Sequence, residues 1–133
     1  MDEFGSDKKT IDSSIDEEEL IKPEDELPPL TWEELTPEMR SFASKAGWSS
    51  LMPVQAMTIP YVLARRDLMV QSRTGSGKTG AYLLPSLQRI KKEAADCQVL
   101  AVAPTRELAQ QISEDAMLLC SKVEGFHIGL STA

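Results

Sequence analysis

The chain has 133 residues, a length that suits one small domain, and 41% of them are hydrophobic, which is enough for a buried core. The formal net charge is −7, but residues 1–30 hold 11 of the 21 acidic residues and only 3 of the 14 basic ones, so the remainder is nearly neutral. No apolar run has the length of a bilayer span, and the N-terminus lacks a secretory signal pattern. One histidine and two distant cysteines support no metal site, so we expect buried thiols and a reducing, cytoplasmic setting.

The first 29 residues are predicted to form a disordered acidic tail. The stretch "DEEELIKPEDELPP" is strongly charged, ends in two prolines and has neither helical nor strand periodicity. An interaction or autoinhibitory arm that competes with nucleic acid is the alternative for this stretch. We expect the ordered domain to begin near Leu30, which divides the chain into a tail at 1–29 and a domain at 30–133.

Two helices are predicted next. The string "TPEM" indicates a helix start, with Thr36 as the cap and Pro37 in the first helical position. This helix is expected to run to about Ala46 and to stop at Gly47. The segment "MPVQAMTIPYVLAR" indicates a second helix, with one proline near its start and another that kinks it.

The rest of the chain alternates apolar runs with helical patterns. "DLMVQS" at 67–72, "QVLAVAP" at 98–104 and "FHIGLS" from 126 are predicted to be buried strands. "GAYLLPSLQRIKKEAA" and "RELAQQISEDAMLLCSKV" are predicted to be helices between and after them. This order predicts an α/β fold, a parallel sheet flanked by helices. The last helix is amphipathic, with its apolar face at Leu108, Ile112, Ala116 and Leu119.

The string "SRTGSGKT", from Ser72 to Thr79, is typical of a phosphate-binding loop between a strand and a helix. Gly75 and Gly77 let backbone N–H groups approach an anion, and Lys78 reaches the β- and γ-phosphates. Thr79 offers a hydroxyl to Mg²⁺. Ser72 stands where the general pattern has glycine, and a small residue there still permits the turn. A chance glycine-rich turn is the alternative.

Three segments in this order resemble the DEAD-box family of ATP-dependent RNA helicases. They are "GWSSLMPVQ" at 47–55, "SRTGSGKT" at 72–79 and "PTRELAQQ" at 104–111. The family has roughly G-F-x-x-P-T-P-I-Q, A-x-T-G-S-G-K-T and P-T-R-E-L-A at these places. The resemblance covers the chain from about Leu30 to its end and implies the N-terminal part of a RecA-like P-loop domain.

The resemblance implies a role for each segment. Gln55 would read adenine with its amide, and Trp32 would stack on the adenine face, with core or surface packing as the alternative for Trp32. Lys78 and Thr79 would be the catalytic pair, with Thr79 also the metal ligand. The loop would hold ATP through Ser72, Arg73, Thr74, Gly75, Ser76, Gly77, Lys78 and Thr79.

The resemblance also implies an RNA contact. Phosphates of a single strand would meet the segment Pro104, Thr105, Arg106 and Glu107. An internal ion pair is the alternative for Arg106. Leu108 and Ala109 are expected to pack within the helix.

The chain departs from the family pattern at several places. Leu51 and Met52 replace the usual proline and threonine of the adenine segment, and Arg73 stands where the family often has glutamine. Trp32 lies two residues closer to Gly47 than the family's aromatic residue does. The connection between Trp32 and the adenine segment is therefore shorter than in the family, whereas Gln55 keeps its place in the motif.

The family's later motifs, D-E-A-D and S-A-T, and its second RecA-like domain do not occur in the sequence. We therefore expect a domain truncated before the DEAD motif, which binds nucleotide weakly and is inactive alone. The expected function is ATP and RNA binding, with Mg²⁺, as part of a monomeric ATP-dependent helicase that locally unwinds or remodels RNA duplexes. The alternatives are a non-catalytic nucleotide- or RNA-binding module and another kind of P-loop ATPase.

Overall fold

The structure is a computed structural model that describes residues 25–121 and 123–132. These residues form four helices, and none of the four is long and apolar enough to cross a membrane. The third helix is central and packs against the other three. In chain order the helices are α1 (Pro37–Lys45), α2 (Pro53–Leu63), α3 (Lys78–Gln88) and α4 (Arg106–Cys120).

The two ends of α1 follow the sequence prediction. The hydroxyl of Thr36 accepts a hydrogen bond from the Met39 N–H at 3.2 Å and so caps the first turn. The helix ends at Lys45, and Gly47 adopts a positive φ of 89° with its N–H bonded to the Ser44 carbonyl at 3.0 Å. Because glycine adopts this conformation without strain, it terminates the helix as expected.

Helix α3 is shorter than its sequence pattern indicates. It ends at Gln88, although the helical pattern continues to about residue 95. Beyond this end, the Gln98 side chain accepts from the Lys91 N–H and donates to the Lys91 carbonyl, both at 2.8 Å. The amide thus satisfies at Lys91 the backbone groups that a longer helix would have used.

The apolar core lies between the helices. Met39 and Phe42 of α1, Ile59 of α2 and Leu84 of α3 are almost completely buried. The Phe42 ring meets the Phe126 ring edge to face, with centroids 5.7 Å apart. The core therefore joins the C-terminal segment to the helices.

The apolar face of α4 differs in part from the predicted one. Ala116 and Leu119 are buried as predicted, whereas Leu108 at the start of the helix is exposed. Cys120 is also buried, as expected of a structural thiol, but Cys97 is exposed, so the expectation of two buried thiols was wrong for Cys97. Only the C-terminal half of α4 therefore packs on the core.

The predicted parallel sheet is absent from the described residues. Segments 67–72, 98–104 and 126–131 contain no strand, and no backbone hydrogen bond joins any two of them. A β-strand requires backbone hydrogen bonds to a neighbouring strand, and none of these segments makes such bonds within the described residues. In the first two segments apolar side chains are accordingly exposed, at 97% for Met69 and 84% for Val102, whereas Phe126 in the third is partly buried against the core. The strand prediction is therefore not confirmed within the described residues, where apolarity suits these segments to burial but supplies no partner strand.

The segment that precedes α1 runs along α2. The Leu30 N–H donates to the Ala56 carbonyl at 2.8 Å, and the Leu27 N–H donates to the Tyr61 hydroxyl at 3.0 Å. Arg66 donates to the Asp25 carbonyl at 2.7 Å. The predicted tail lies otherwise outside the described residues, and its boundary near residue 30 stays a prediction.

Candidate nucleotide-binding site

The loop before α3 exposes the N-terminal end of that helix. Gly75 and Gly77 both have positive φ, at 77° and 89°, and Gly77 is the residue that precedes the first turn. No side chain caps this turn. A Cβ at Gly75 would meet no atom within 4 Å, so the space over that residue is open. The N–H groups at the start of α3 are therefore placed to receive an anion.

The loop also satisfies several of its own polar groups. The Lys78 ammonium donates to the Ser72 carbonyl at 2.6 Å. The Ser72 and Ser76 hydroxyls are hydrogen-bonded to each other at 2.5 Å, and the Ser76 N–H donates to the Arg73 carbonyl at 3.2 Å. In this structure the loop is thus closed by contacts between its first two residues and its later ones.

Gln55 lies directly behind the loop, on the first turn of α2. Its side chain is only 3% exposed. The amide oxygen accepts from the Met52 N–H at 2.9 Å, and the amide nitrogen donates to the Gly77 carbonyl at 3.3 Å. Since an amide carries two acceptor sites and two donor hydrogens, one of each remains. Gln55 therefore joins α2 to the loop while it retains one acceptor site and one donor.

Trp48 and Gly80 form a close contact that the sequence analysis did not assign. A Cβ on Gly80 would lie 2.6 Å from Cζ2 of Trp48 and 3.0 Å from Nε2 of Gln55, far inside normal contact distance. Gly80 is buried in the first turn of α3, where alanine would otherwise be the better helix former. A glycine inside a helical pattern is the signal that indicates such a close approach.

Met52, one of the departures from the family pattern, also touches the loop. A Cβ on Gly77 would lie 2.8 Å from the Met52 sulfur and 2.7 Å from Nε2 of Gln55. Gly77 is therefore required for space as well as for its positive φ. The methionine that stands where the family has threonine thus lies directly against the loop.

Thr79 follows Lys78 in the first turn of α3, and its side chain hydrogen-bonds to Tyr82. Burial raises the pKa of the Tyr82 hydroxyl above its usual value of 10.0; the Thr79 bond opposes this rise and the charge of Asp115 adds to it. Tyr82 is consequently a neutral hydroxyl at physiological pH. A cavity of about 300 Å³ adjoins Lys78 and Tyr82, and its other lining residues are Thr58, Val62, Leu68, Val70 and Ala81.

Trp32 lies in the turn before α1 and is partly buried against the apolar core. Arg40 holds this turn, because its guanidinium donates to the Glu33 carbonyl at 2.6 Å and to the Leu35 carbonyl at 3.1 Å. Core packing, the alternative for Trp32, is thus observed for at least part of the ring. The adenine-stacking role of Trp32 stays a prediction.

The second predicted site lies at the start of α4. The Thr105 hydroxyl accepts from the Leu108 N–H at 3.2 Å and caps the helix. Pro104, Arg106 and Glu107 are exposed beside it. The four residues therefore form one accessible surface at a helix end.

Comparison with known proteins agrees with this geometry. The profile of the DEAD/DEAH box helicase family matches residues 52–132. The DEAD-box ATP-dependent RNA helicase CshA of Bacillus licheniformis is 39% identical over 82 residues, which is 62% of this chain and 17% of that protein. The ATP-dependent RNA helicase DDX4 of Mus musculus is 45% identical over 98 residues, covering 65% of this chain and 14% of that protein.

A solved structure shows the same similarity. The RNA helicase Prp28 from Chaetomium thermophilum, bound to ADP, matches with a TM-score of 0.66 and 37% identity, over 74% of this chain and 26% of that one. The chain belongs to the DEAD/DEAH box helicase family. It spans less than a fifth of the length of the curated relatives named above.

Proposed function

We propose that the chain supplies the ATP-binding part of an ATP-dependent RNA helicase and one of its RNA contacts. The observation that carries the proposal is the uncapped start of α3, preceded by the glycine loop and joined through Gly77 to the buried amide of Gln55. Its membership of the helicase family supports the same function. ATP, Mg²⁺ and RNA are the ligands of the proposal.

The loop fits a polyphosphate. The open space over Gly75 and the uncapped N–H groups of α3 suit phosphate oxygens, and Lys78 needs only to leave the Ser72 carbonyl to meet them. A bound Mg²⁺ supplies charge neutralisation between phosphates, and Thr79 is the residue that would hold it. Ser72, Arg73, Thr74 and Ser76 complete the loop.

Gln55 fits adenine. An amide has an acceptor for the exocyclic amino group of the base and a donor for a ring nitrogen. Gln55 is buried in this structure, so its side chain would turn toward the base to use them. Guanine presents an oxygen in place of that amino group, so the amide favours ATP over GTP. Trp32 is retained in the proposal as the stacking residue.

The start of α4 is the proposed RNA contact. The surface formed by Pro104, Thr105, Arg106 and Glu107 is exposed, and Arg106 brings the positive charge that a phosphate requires. We also propose that segments 67–72 and 98–104 form part of a parallel sheet in the whole protein. The activity that we propose for the whole protein is the local unwinding or remodelling of RNA duplexes. A cytoplasmic monomer completes the proposal.

Replacement of the loop lysine tests the nucleotide site. Lys78→Ala removes the ammonium that the proposal places on the phosphates, so we expect ATP affinity to fall about 10- to 100-fold. Calorimetric titration of ATP with Mg²⁺ into the folded chain measures the change. Lys45→Ala, an exposed lysine at the end of α1, is the matched control and should leave affinity unchanged. Equal affinity for the Lys78→Ala and wild-type chains would overturn the proposal.

A further inference from the structure

Ser72 makes two contacts that hold the loop closed upon itself. Its carbonyl accepts from the Lys78 ammonium at 2.6 Å, and its hydroxyl bonds to the Ser76 hydroxyl at 2.5 Å. The neighbouring Arg73 carbonyl takes the Ser76 N–H at 3.2 Å. Two groups that the proposed phosphate site requires, the Lys78 ammonium and the Ser76 N–H, are thus engaged by the first two residues of the loop.

We propose that the Ser72 hydroxyl is a latch that stabilises the closed loop and thereby lowers the affinity for nucleotide phosphates. The inference rests on the proposed function, since it concerns the same site. Any residue at position 72 offers the carbonyl to Lys78, but the bond to the Ser76 hydroxyl needs a polar side chain, which serine has and alanine lacks. The latch is therefore a property of the serine that this chain has where the helicase family has alanine.

The sign of the effect follows from a competition between two loop conformations. A phosphate that enters the loop must recruit Lys78 and the backbone donors near Ser76, which in the closed form are bonded to residues 72 and 73. Apparent affinity falls in proportion to the fraction of molecules whose loop is open. A bond that exists only in the closed form lowers that fraction, and its removal raises affinity.

The size of the effect follows from the strength of one partly exposed hydroxyl pair. A typical intramolecular hydrogen bond contributes enough to shift a two-state equilibrium by about 2- to 10-fold. We therefore expect Ser72→Ala to tighten the binding of ATP and ADP by about 2- to 10-fold. Adenosine lacks phosphates and does not require the open loop, so its affinity should not change.

Calorimetric titrations of the 133-residue chain with nucleotide and Mg²⁺ test the latch. Four proteins are compared: wild type, Ser72→Ala, Ser76→Ala and the double variant. Because the two hydroxyls form one bond, Ser72→Ala should increase affinity in the wild type and have no effect when Ser76 is already alanine. Ser44→Ala, which removes an exposed hydroxyl on α1, is the matched control and should change nothing.

Amide hydrogen exchange gives an independent readout. The Ser76 N–H is bonded to the Arg73 carbonyl in the closed loop. In Ser72→Ala without nucleotide this amide should exchange faster, because the loop opens more often. A gain in affinity without faster exchange would overturn the latch, since some other change would then cause the gain.

The two proposals fail in different ways. Unchanged or weaker ATP binding by Ser72→Ala, together with lost binding by Lys78→Ala, overturns the latch and leaves the nucleotide site in place. The latch is likewise overturned, with the nucleotide site left in place, if Ser72→Ala raises the affinity for adenosine as much as the affinity for ATP. Unchanged binding by Lys78→Ala removes the phosphate site itself, and the latch with it.

Discussion

Helices α3 and α4 both begin at a predicted phosphate contact, but their first turns are completed differently. The residue before α3 is Gly77, which has no side chain to offer and leaves the backbone N–H groups uncapped. The residue before α4 is Thr105, whose hydroxyl bonds the Leu108 N–H. The backbone N–H groups at the start of α3 thus have no side-chain partner, whereas at the start of α4 the Leu108 N–H is already bonded to Thr105. In the proposed sites, an anion at α3 would therefore meet backbone N–H groups together with Lys78, whereas one at α4 would rely mainly on side chains.

The two helix ends also differ in what lies behind them. The start of α3 rests on the buried amide of Gln55 and on the Trp48 ring, which contacts Gly80. Residues 104–108 at the start of α4 are all exposed. The α3 end is therefore a fixed part of the core, and substitutions there should change stability together with binding.

Loss of the Gln55 amide should have the largest effect on the α3 end. Gln55→Ala leaves the Met52 N–H without its partner, which in a part-buried place costs about 1–3 kcal/mol of unfolding free energy. The Gly77 carbonyl loses one of its two bonds and keeps the one from the Ala81 N–H. ATP affinity should fall more than GTP affinity, because the amide is the proposed reader of adenine. Urea denaturation and paired ATP and GTP titrations measure the two effects.

Gln88→Ala is the control for Gln55→Ala, since the Gln88 amide also makes a side-chain hydrogen bond, accepted from the Thr36 hydroxyl at 3.3 Å, but lies at the far end of α3. It should leave both nucleotide affinities unchanged. Equal losses of ATP and GTP affinity in Gln55→Ala would restrict Gln55 to its structural bonds and contradict the adenine role.

A methyl group on Gly80 should have the next largest effect. Gly80→Ala forces the new carbon against Trp48 and should destabilise the chain by about 1–3 kcal/mol, despite the better helix propensity of alanine. Trp48→Phe gives the methyl group room, so the double variant should recover most of the loss. Thermal unfolding of the two single variants and the double variant measures this coupling.

Additive losses in the Gly80 and Trp48 variants would contradict the packing explanation. Gly129→Ala is the matched control, because a Cβ there meets no atom within 4 Å and its φ is not positive. It should leave the unfolding temperature nearly unchanged.

Features that depend on neighbouring residues could be predicted from the sequence, whereas contacts between distant residues could not. The loop, the cap at Thr36 and the stop at Gly47 were predictable because turns and caps depend on the residues within them. The contacts of Trp48 and Gly80 were not predicted, because they join positions 32 residues apart and depend on how α3 packs. The bond from Gln55 to Gly77 has the same origin.

The sheet prediction shows the opposite limit. Segments 67–72 and 98–104 have the apolar composition of buried strands, but strand formation depends on neighbours rather than composition. Within the described residues Met69 and Leu100 remain exposed, at 97% and 82%. The composition therefore indicates that these segments are suited to burial, but it does not identify the neighbouring strands that would pair with them.

Removal of the Thr105 hydroxyl should have a smaller effect, and it separates the two roles of this residue. Thr105→Ala removes the cap of α4 and should cost about 1 kcal/mol of unfolding free energy. Thr105→Ser keeps the hydroxyl and should restore stability. Urea denaturation and RNA titration are run on both variants. If Thr105→Ala weakens RNA binding without a loss of stability, the hydroxyl serves phosphate rather than the helix.

Replacement of Arg106 should have the smallest effect, confined to RNA. Arg106→Ala removes one positive charge from the exposed start of α4, so affinity for single-stranded RNA should depend less steeply on salt, with the slope of log K against log salt reduced by about 0.7. ATP affinity should stay unchanged, because the phosphate loop does not include Arg106.

Arg89→Ala, which removes an exposed arginine after α3, is the control of equal charge and should leave the salt slope unchanged. An unchanged slope in Arg106→Ala, or a loss of ATP affinity instead, would show that the α4 end does not contact RNA through this side chain. The two helix ends would then differ in function as well as in capping.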